Sequence, residues 1–108
     1  MNQNDPPTEH ILACLSSSPS NAKIVRTAAT MAKAFGGTFT ALYVRTPDSD
    51  QMGKEDCRRL QQHIRMAEQA GADISTIYGD DIPQQIAEFA RISGITKIVL
   101  GRSSVHRR

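Results

Sequence analysis

The sequence predicts an α/β domain built on an open parallel sheet of the flavodoxin- or Rossmann-like kind, with strand order 3-2-1-4. Three observations predict it. Four short apolar or β-branched runs alternate with three amphipathic stretches of helical period, and that alternation calls for a parallel sheet covered by helices on both faces. Glycine stands at or near the end of every helical stretch, where a left-handed cap belongs. The 108 residues are 39% apolar and 22% charged. That suffices for one core, and no apolar run approaches the roughly 18 residues of a membrane span.

Each element follows in order. Residues 1–8 are polar and contain Pro6 and Pro7; they read as a flexible lead-in to a domain over 9–108. Residues 10–15 (HILACL) are apolar almost without a break and read as a strand buried on both faces. A serine run follows at 16–18. Ser18 is the expected N-cap of the first helix, with Pro19 at its first position. Ile24, Ala28, Met31, Ala32 and Phe35 recur on one helical face, with Met31 and Phe35 expected in the core. Gly36 and Gly37 end this helix. Residues 38–44 (TFTALYV) are β-branched and aromatic, and form the second strand.

A polar loop covers 45–53. The second helix covers 54–70, with Leu60, Ile64 and Ala67 inward and Gly71 closing it. Residues 73–78 (DISTIY) are the third strand. Asp80 and Asp81 suit the start of the third helix electrostatically, so capping is preferred to acid–base chemistry. Ile82, Ile86, Phe89 and Ala90 point inward, and the helix ends near Gly94. The fourth strand is 96–100 (ITKIVL contains it), and Gly101, Arg102, Ser103 and Ser104 follow. Residues 101–108 leave room for neither another helix nor a fifth strand. The C-terminal strand is therefore expected to be missing, the fourth strand to be an edge open to another chain, and the domain to be excised from a longer polypeptide.

Several function classes are disfavoured. Formal charge is +2, which by itself argues neither for nor against nucleic acid; no nucleic-acid partner is expected. Cys14 lies in the apolar run and reads as a buried small hydrophobe, while Cys57 sits among charges on a helix. The two give no disulfide framework and no metal spacing. His10, His63 and His106 are isolated, which leaves no zinc site and no case for nucleophilic catalysis. No catalytic or metal-binding residue is assigned. The N-terminus lacks the basic and apolar regions of a signal peptide, so a cytoplasmic location is expected.

With order 3-2-1-4 the winding reverses between strands one and four. Ligands in open α/β sheets bind outside the carboxyl ends of the strands at such a point. Two loops leave the sheet there. One holds Ser16, Ser17 and Ser18 and opens a helix; the other holds Gly101, Arg102 and Ser103. Backbone N–H groups at a helix start suit phosphate, and Arg102 adds a planar cation. The ligand inferred is a nucleotide or another phosphate compound, unless the serines only cap and turn. Neither loop is a Walker motif or a G-x-G-x-x-G fingerprint.

The segments HILACLSSSPSNAKIVRTAA, AKAFGGTFTALYV, YGDDIPQQIAEFAR and KIVLGRSS, in that order, resemble the universal stress protein domain over residues 10–108. More narrowly, the chain resembles the copies inside KdpD-type potassium-responsive sensor histidine kinases. The resemblance implies a cytoplasmic regulatory module of an inner-membrane kinase, not the catalyst. It implies the other domains of the kinase as partners, and a homodimer or a stress-protein partner at the open edge; no direct membrane contact is expected of this segment. Many stand-alone members of the family bind ATP. They carry an aspartate at the end of strand one and a G-x-x-G-x9-G loop, followed by Ser or Thr, after strand four. Here Ser16 and Ser104 occupy the aspartate and second-glycine positions.

A different family motif, S-x-S-x20-F-T-A-x-Y, is associated with cyclic di-AMP. Ser16, Ser17 and Ser18, twenty residues, then Phe39, Thr40, Ala41, Leu42 and Tyr43 satisfy it at every specified position. The implied roles are phosphate or ribose contacts from Ser16 and Ser18, an adenine edge read by the Thr40 and Ala41 backbone, and a pocket closed by Tyr43. Phe39 reads chiefly as a core residue, and Tyr43 equally as core or site. No cofactor is required; the expected ligand is an adenine nucleotide, cyclic di-AMP favoured over ATP. The alternatives are a protein-interaction scaffold recruiting other stress proteins, or an ATP-binding universal stress protein.

Overall fold

The computed structural model describes residues 9–100. Its elements are β1 (His10–Cys14), α1 (Asn21–Phe35), β2 (Thr38–Arg45), a 3-10 turn (Ser49–Gln51), α2 (Lys54–Gln69), β3 (Asp73–Tyr78), α3 (Ile82–Ile92) and β4 (Lys97–Val99). All strand pairs are parallel and the order is β3-β2-β1-β4, as the alternating pattern predicts. The lead-in at 1–8 and the loop at 101–104 lie outside the described residues.

β1 is the centre of the sheet. Alternate side chains of a strand point to opposite faces, and Ile11, Leu12 and Ala13 are all fully buried. Ile11 and Ala13 join Val25, Ala28, Phe39, Leu60 and Ala67 in the core beneath α1 and α2. Leu12 joins Leu42 and Val44 in a smaller core against α3, with Ile86 and Phe89 partly buried over it. β1 pairs on one side with β2, the next strand in the chain, and on the other with β4, the last. The Thr96 N–H donates to the His10 carbonyl at 2.9 Å, spanning 86 residues.

The two faces are unequal. No residue of α3 is fully buried. The register pairs Leu12 with Ile98, so Ile98 lies on the α3 face, where it is 41% exposed; Leu100 (57%) and Ile92 (73%) are also exposed.

Ile82, expected inward at the start of α3, is 44% exposed, and three further expectations change. α1 begins at Asn21, not at Pro19. The Asn21 N–H donates to the Ser18 carbonyl at 2.9 Å, so residues 18–21 form a turn with Pro19 at its second position, which proline's fixed φ suits. Ser20 stands at the N-cap without a side-chain capping bond. The second change is Phe35, expected in the core but 50% exposed, with the Lys97 ammonium 5.3 Å from its ring centroid. Asn21, Val25, Ala28 and Ala32 form the buried stripe. Ile24, Met31 and Phe35 follow a line one residue behind it, about 100° around the helix; Ile24 and Met31 flank the core, while the last turn carries Phe35 past its edge. Third, Cys14 is half-buried rather than buried.

Other features agree. Gly36 takes the left-handed cap at φ 65°. Gly37 is needed for space: a Cβ there would meet the Glu9 carbonyl oxygen at 2.1 Å. Asp81 caps α3, accepting from the Gln84 N–H at 3.2 Å, with Pro83 in the first turn.

Candidate functional site

β1 ends with Cys14 opposite Leu42 and a last bond from the Leu15 N–H to the Leu42 carbonyl at 2.8 Å, while β2 runs on beside β3 to Arg45. Beyond that rung the chains diverge, and a cleft of about 540 Å³ opens over the carboxyl ends of the two strands. That is within the usual size of a small-molecule site. One wall is the serine loop and the start of α1. Tyr43, Thr46, Ser49 and Met52 form the opposite wall, and Ile82 and Ile86 of α3 contribute an apolar side.

The loop is held by its own side chains. Asn21, 4% exposed, bridges it to the sheet: its Oδ1 accepts from the Ser16 N–H at 3.1 Å and its Nδ2 donates to the Cys14 carbonyl at 2.9 Å. The Ser16 hydroxyl accepts from the Ser18 N–H at 3.2 Å, and the Ser18 hydroxyl accepts from the Ser20 N–H at 3.3 Å. Ser18 and Ser20 share a further hydroxyl–hydroxyl bond of 2.9 Å. A hydroxyl that accepts a backbone bond still has its O–H to donate. The Ser16 hydroxyl keeps its O–H, and one O–H of the Ser18–Ser20 pair is not used between them, so the loop can offer hydroxyl donors to the cleft. The Ser17 N–H has no acceptor among the described residues.

The far wall is equally ordered. Thr46 and Ser49 form a reciprocal box: the Thr46 N–H donates to the Ser49 hydroxyl at 2.9 Å, and the Ser49 N–H to the Thr46 hydroxyl at 3.0 Å. The Ser49 hydroxyl then donates to the Thr46 carbonyl at 2.8 Å.

Among the described lining residues only Asp48 is charged. Cys14 adds no charge at neutral pH, and burial pushes its thiol further up, to about 11. No cluster of three or more His, Cys, Asp or Glu side chains among the described residues could hold a metal ion.

The sequence-expected site residues divide three ways. Ser16, Ser17, Ser18 and Tyr43 meet at the cleft. Thr40 and Ala41 do not line it. They sit in mid-strand, paired with Leu12 and Ala13 on one side and with Asp73 and Ile74 on the other, and Ala41 is fully buried. Phe39 is a core residue, whereas Tyr43 both packs on that core and lines the cleft. Gly101, Arg102 and Ser103 lie outside the described residues. Asn21, Thr46, Ser49, Ile82 and Ile86 were not singled out for the site. The Thr-x-x-Ser spacing of 46 and 49 resembles a capping box and is the signal that points to that wall.

A family profile described as "Universal stress protein family" matches residues 7–108. The chain belongs to the universal stress protein family. It is similar to "Sensor protein KdpD" of Clostridium acetobutylicum, 39% identical over 94% of this chain, and to "Sensor protein KdpD" of Escherichia coli (strain K12), 30% identical over 90%. The chain spans 11% of the length of each of these relatives. Solved structures, several of them universal stress proteins, share its fold. Protein Rv1636 from Mycobacterium tuberculosis H37Rv superposes with TM-score 0.68 at 16% identity, over 95% of this chain and 79% of that one. A universal stress protein in complex with cAMP gives 0.65 at 14%, over 86% and 71%. The protein from Archaeoglobus fulgidus in complex with dAMP gives 0.57 at 21%, over 88% and 81%. Among the described residues of this universal stress protein domain, no helix is long and apolar enough to cross a membrane.

Proposed function

We propose that this universal stress protein domain is a cytoplasmic, non-enzymatic regulatory module of a potassium-responsive sensor histidine kinase, and that its cleft binds an adenine nucleotide, cyclic di-AMP in preference to ATP. The observation that carries the reading is the hydroxyl-lined cleft at the carboxyl ends of β1 and β2, with no cationic side chain among its described lining residues. A phosphodiester carries one negative charge per phosphate, whereas a free triphosphate concentrates about four and requires compensating cations in a site of low dielectric. Hydroxyl donors and a helix start favour an anion there, and the S-x-S-x20-F-T-A-x-Y match favours cyclic di-AMP. Relatives of the same fold have been solved with cAMP and with dAMP, which supports an adenine ligand. Ligand binding then biases the kinase through differential affinity for its two states.

The test is calorimetric titration of the 108-residue chain with cyclic di-AMP and, separately, ATP at one salt concentration. Micromolar or tighter binding of cyclic di-AMP with weaker ATP is expected. ATP alone binding overturns the ligand preference, and neither binding overturns the nucleotide reading for this chain. Ser18→Trp is expected to abolish binding by filling the cleft. Ser18 is exposed, so this change should cost about 0.5 kcal/mol of stability or less, and a folded Ser18→Trp protein with undiminished affinity would remove the site assignment. A protein-docking scaffold is favoured by one observation, the exposure of Ile92, Ile98 and Leu100 on the α3 face, and it gains if no nucleotide binds.

A further inference from the structure

The buried polar residues among those described are Asn21, Thr46 and His63. Burying a polar side chain is costly unless it is hydrogen-bonded, so their placement is informative. Asn21 and Thr46 line the cleft. His63 does not, but it holds the loop that does. It lies on α2, 4% exposed, and its Nδ1 is 2.8 Å from the Ser16 carbonyl oxygen, 47 residues away in the chain. A carbonyl oxygen only accepts, so Nδ1 carries the proton and donates. One helical turn earlier, Arg59 Nη1 donates to the Ser17 carbonyl at 2.9 Å and to Asp56 at 3.0 Å. The spacing of 59 and 63 puts both side chains on one face of α2.

Two successive carbonyls of the serine loop are thus turned toward α2. In a trans peptide the C=O of one residue and the N–H of the next point in opposite directions, and no cis peptide is present among the described residues. With the Ser16 carbonyl drawn to α2, the Ser17 N–H points away from it. With the Ser17 carbonyl drawn likewise, the Ser18 N–H points away and meets the Ser16 hydroxyl. α2 contributes no lining residue to the cleft. The clasp therefore fixes the peptide planes that decide which donors the loop presents to a ligand.

We infer that Arg59 and His63 are positioning residues of the nucleotide site, holding the serine loop from behind in its ligand-binding form and coupling its occupancy to α2. This rests on the reading of the cleft as a nucleotide site. The experiment compares the parent chain with His63→Phe, His63→Asn and Arg59→Met by calorimetry with cyclic di-AMP and by amide hydrogen exchange of the ligand-free proteins. Phe keeps the ring and loses the donor. Asn carries an amide nitrogen on Cγ, where Nδ1 sits in histidine. His63→Phe should weaken binding by about tenfold or more, equivalent to about 1.4 kcal/mol, and His63→Asn should recover most of that loss, which simple destabilisation would not predict. Folded His63→Phe that binds within about twofold of the parent, well inside the tenfold step of 1.4 kcal/mol, overturns the proposal. If His63→Phe does not fold, the half-exposed Arg59→Met decides by the same criterion. If the parent binds no nucleotide, the functional reading fails on its own, and the clasp is judged by exchange. Faster exchange of the Ser16 and Ser18 amides in the variants supports a clasp that sets the loop, and unchanged exchange overturns it.

Discussion

Single residues carry the sharpest physical statements. Asn21 satisfies one loop N–H and one strand carbonyl with a single amide. Replacement by Ala orphans both, and a buried group left unpaired costs about 1–3 kcal/mol. Asn21→Ala should lower the denaturation midpoint and also weaken ligand binding, because the loop it anchors forms the cleft wall. Cys14 gives a pH-dependent prediction. Its thiol is raised from an ordinary 9.0 to about 11 by burial, so the folded protein holds the proton where the unfolded chain releases it. The neutral thiol's contribution is complete below pH 9 and is lost as pH rises through about 11. The full displacement would be worth about 2.7 kcal/mol, and because Cys14 is only partly buried the loss should be smaller than that. Denaturant unfolding of the parent and Cys14→Ala between these pH values should show a steeper fall for the parent; parallel curves would remove the assignment. The serine residues themselves were legible in the sequence, because motif spacing is local and survives unfolding. His63 and Arg59 were not, since their partners lie 47 and 42 residues away and nothing in the sequence marks that contact.

At the scale of elements, what was legible is what local chemistry dictates. The left-handed cap at Gly36 and the Asp81 cap of α3 follow from residue type alone. Asp81→Ala should cost about 1 kcal/mol, the usual value of an N-cap side chain, and circular dichroism melting would register it. The start of α1 was misread for a tertiary reason. Ser18 and Pro19 satisfy every local rule for a helix beginning, yet Asn21 is tied to the end of β1 and the serines bond to one another. The inward face of α1 was read correctly at Ala28 and Ala32, but Val25 was missed and Phe35 included, for a related reason. Val25 and Phe35 are both apolar, and only the angle at which the helix meets the sheet decides that Val25 is 1% exposed and Phe35 50%. The Thr40 and Ala41 roles drawn from the motif lie on an element whose backbone is already paired on both sides; the strand at 38–44 and the order 3-2-1-4 already imply this, and the motif alone does not carry it.

For the whole molecule, the winding order was readable because it follows from alternation and handedness, which need no side-chain detail. The inequality of the two faces was not, since it depends on how far α3 reaches across the sheet. That inequality has an energetic form. Leu12 is fully buried under α3 and Ile92, on α3 itself, is 73% exposed. Leu12→Ala should cost about 2–5 kcal/mol, whereas Ile92→Ala should stay within about 0.5 kcal/mol. Urea titration of both variants separates them, and a large loss for Ile92→Ala would mean that this face is covered by another surface in solution.

The position of β1 between its nearest and its farthest neighbour in the chain also sets an order of events. Pairing with β2 closes only the α1 crossover, while pairing with β4 brings His10 to Thr96 across 86 residues. Closure entropy grows with the length enclosed, so the hypothesis is that the β1–α1–β2 unit nucleates and β4 arrives last. The last strand to arrive is also held by the fewest rungs, three register pairs against five on the other side. In native-state exchange the amides bridging β1 and β4 should open at lower free energy than those bridging β1 and β2. Equal protection along both edges of β1 would refute that sequence of assembly. A strand that zips on last beside the serine loop gives this domain a seam, at which a mechanical or allosteric load from a neighbouring segment would be felt before the rest of the sheet responds.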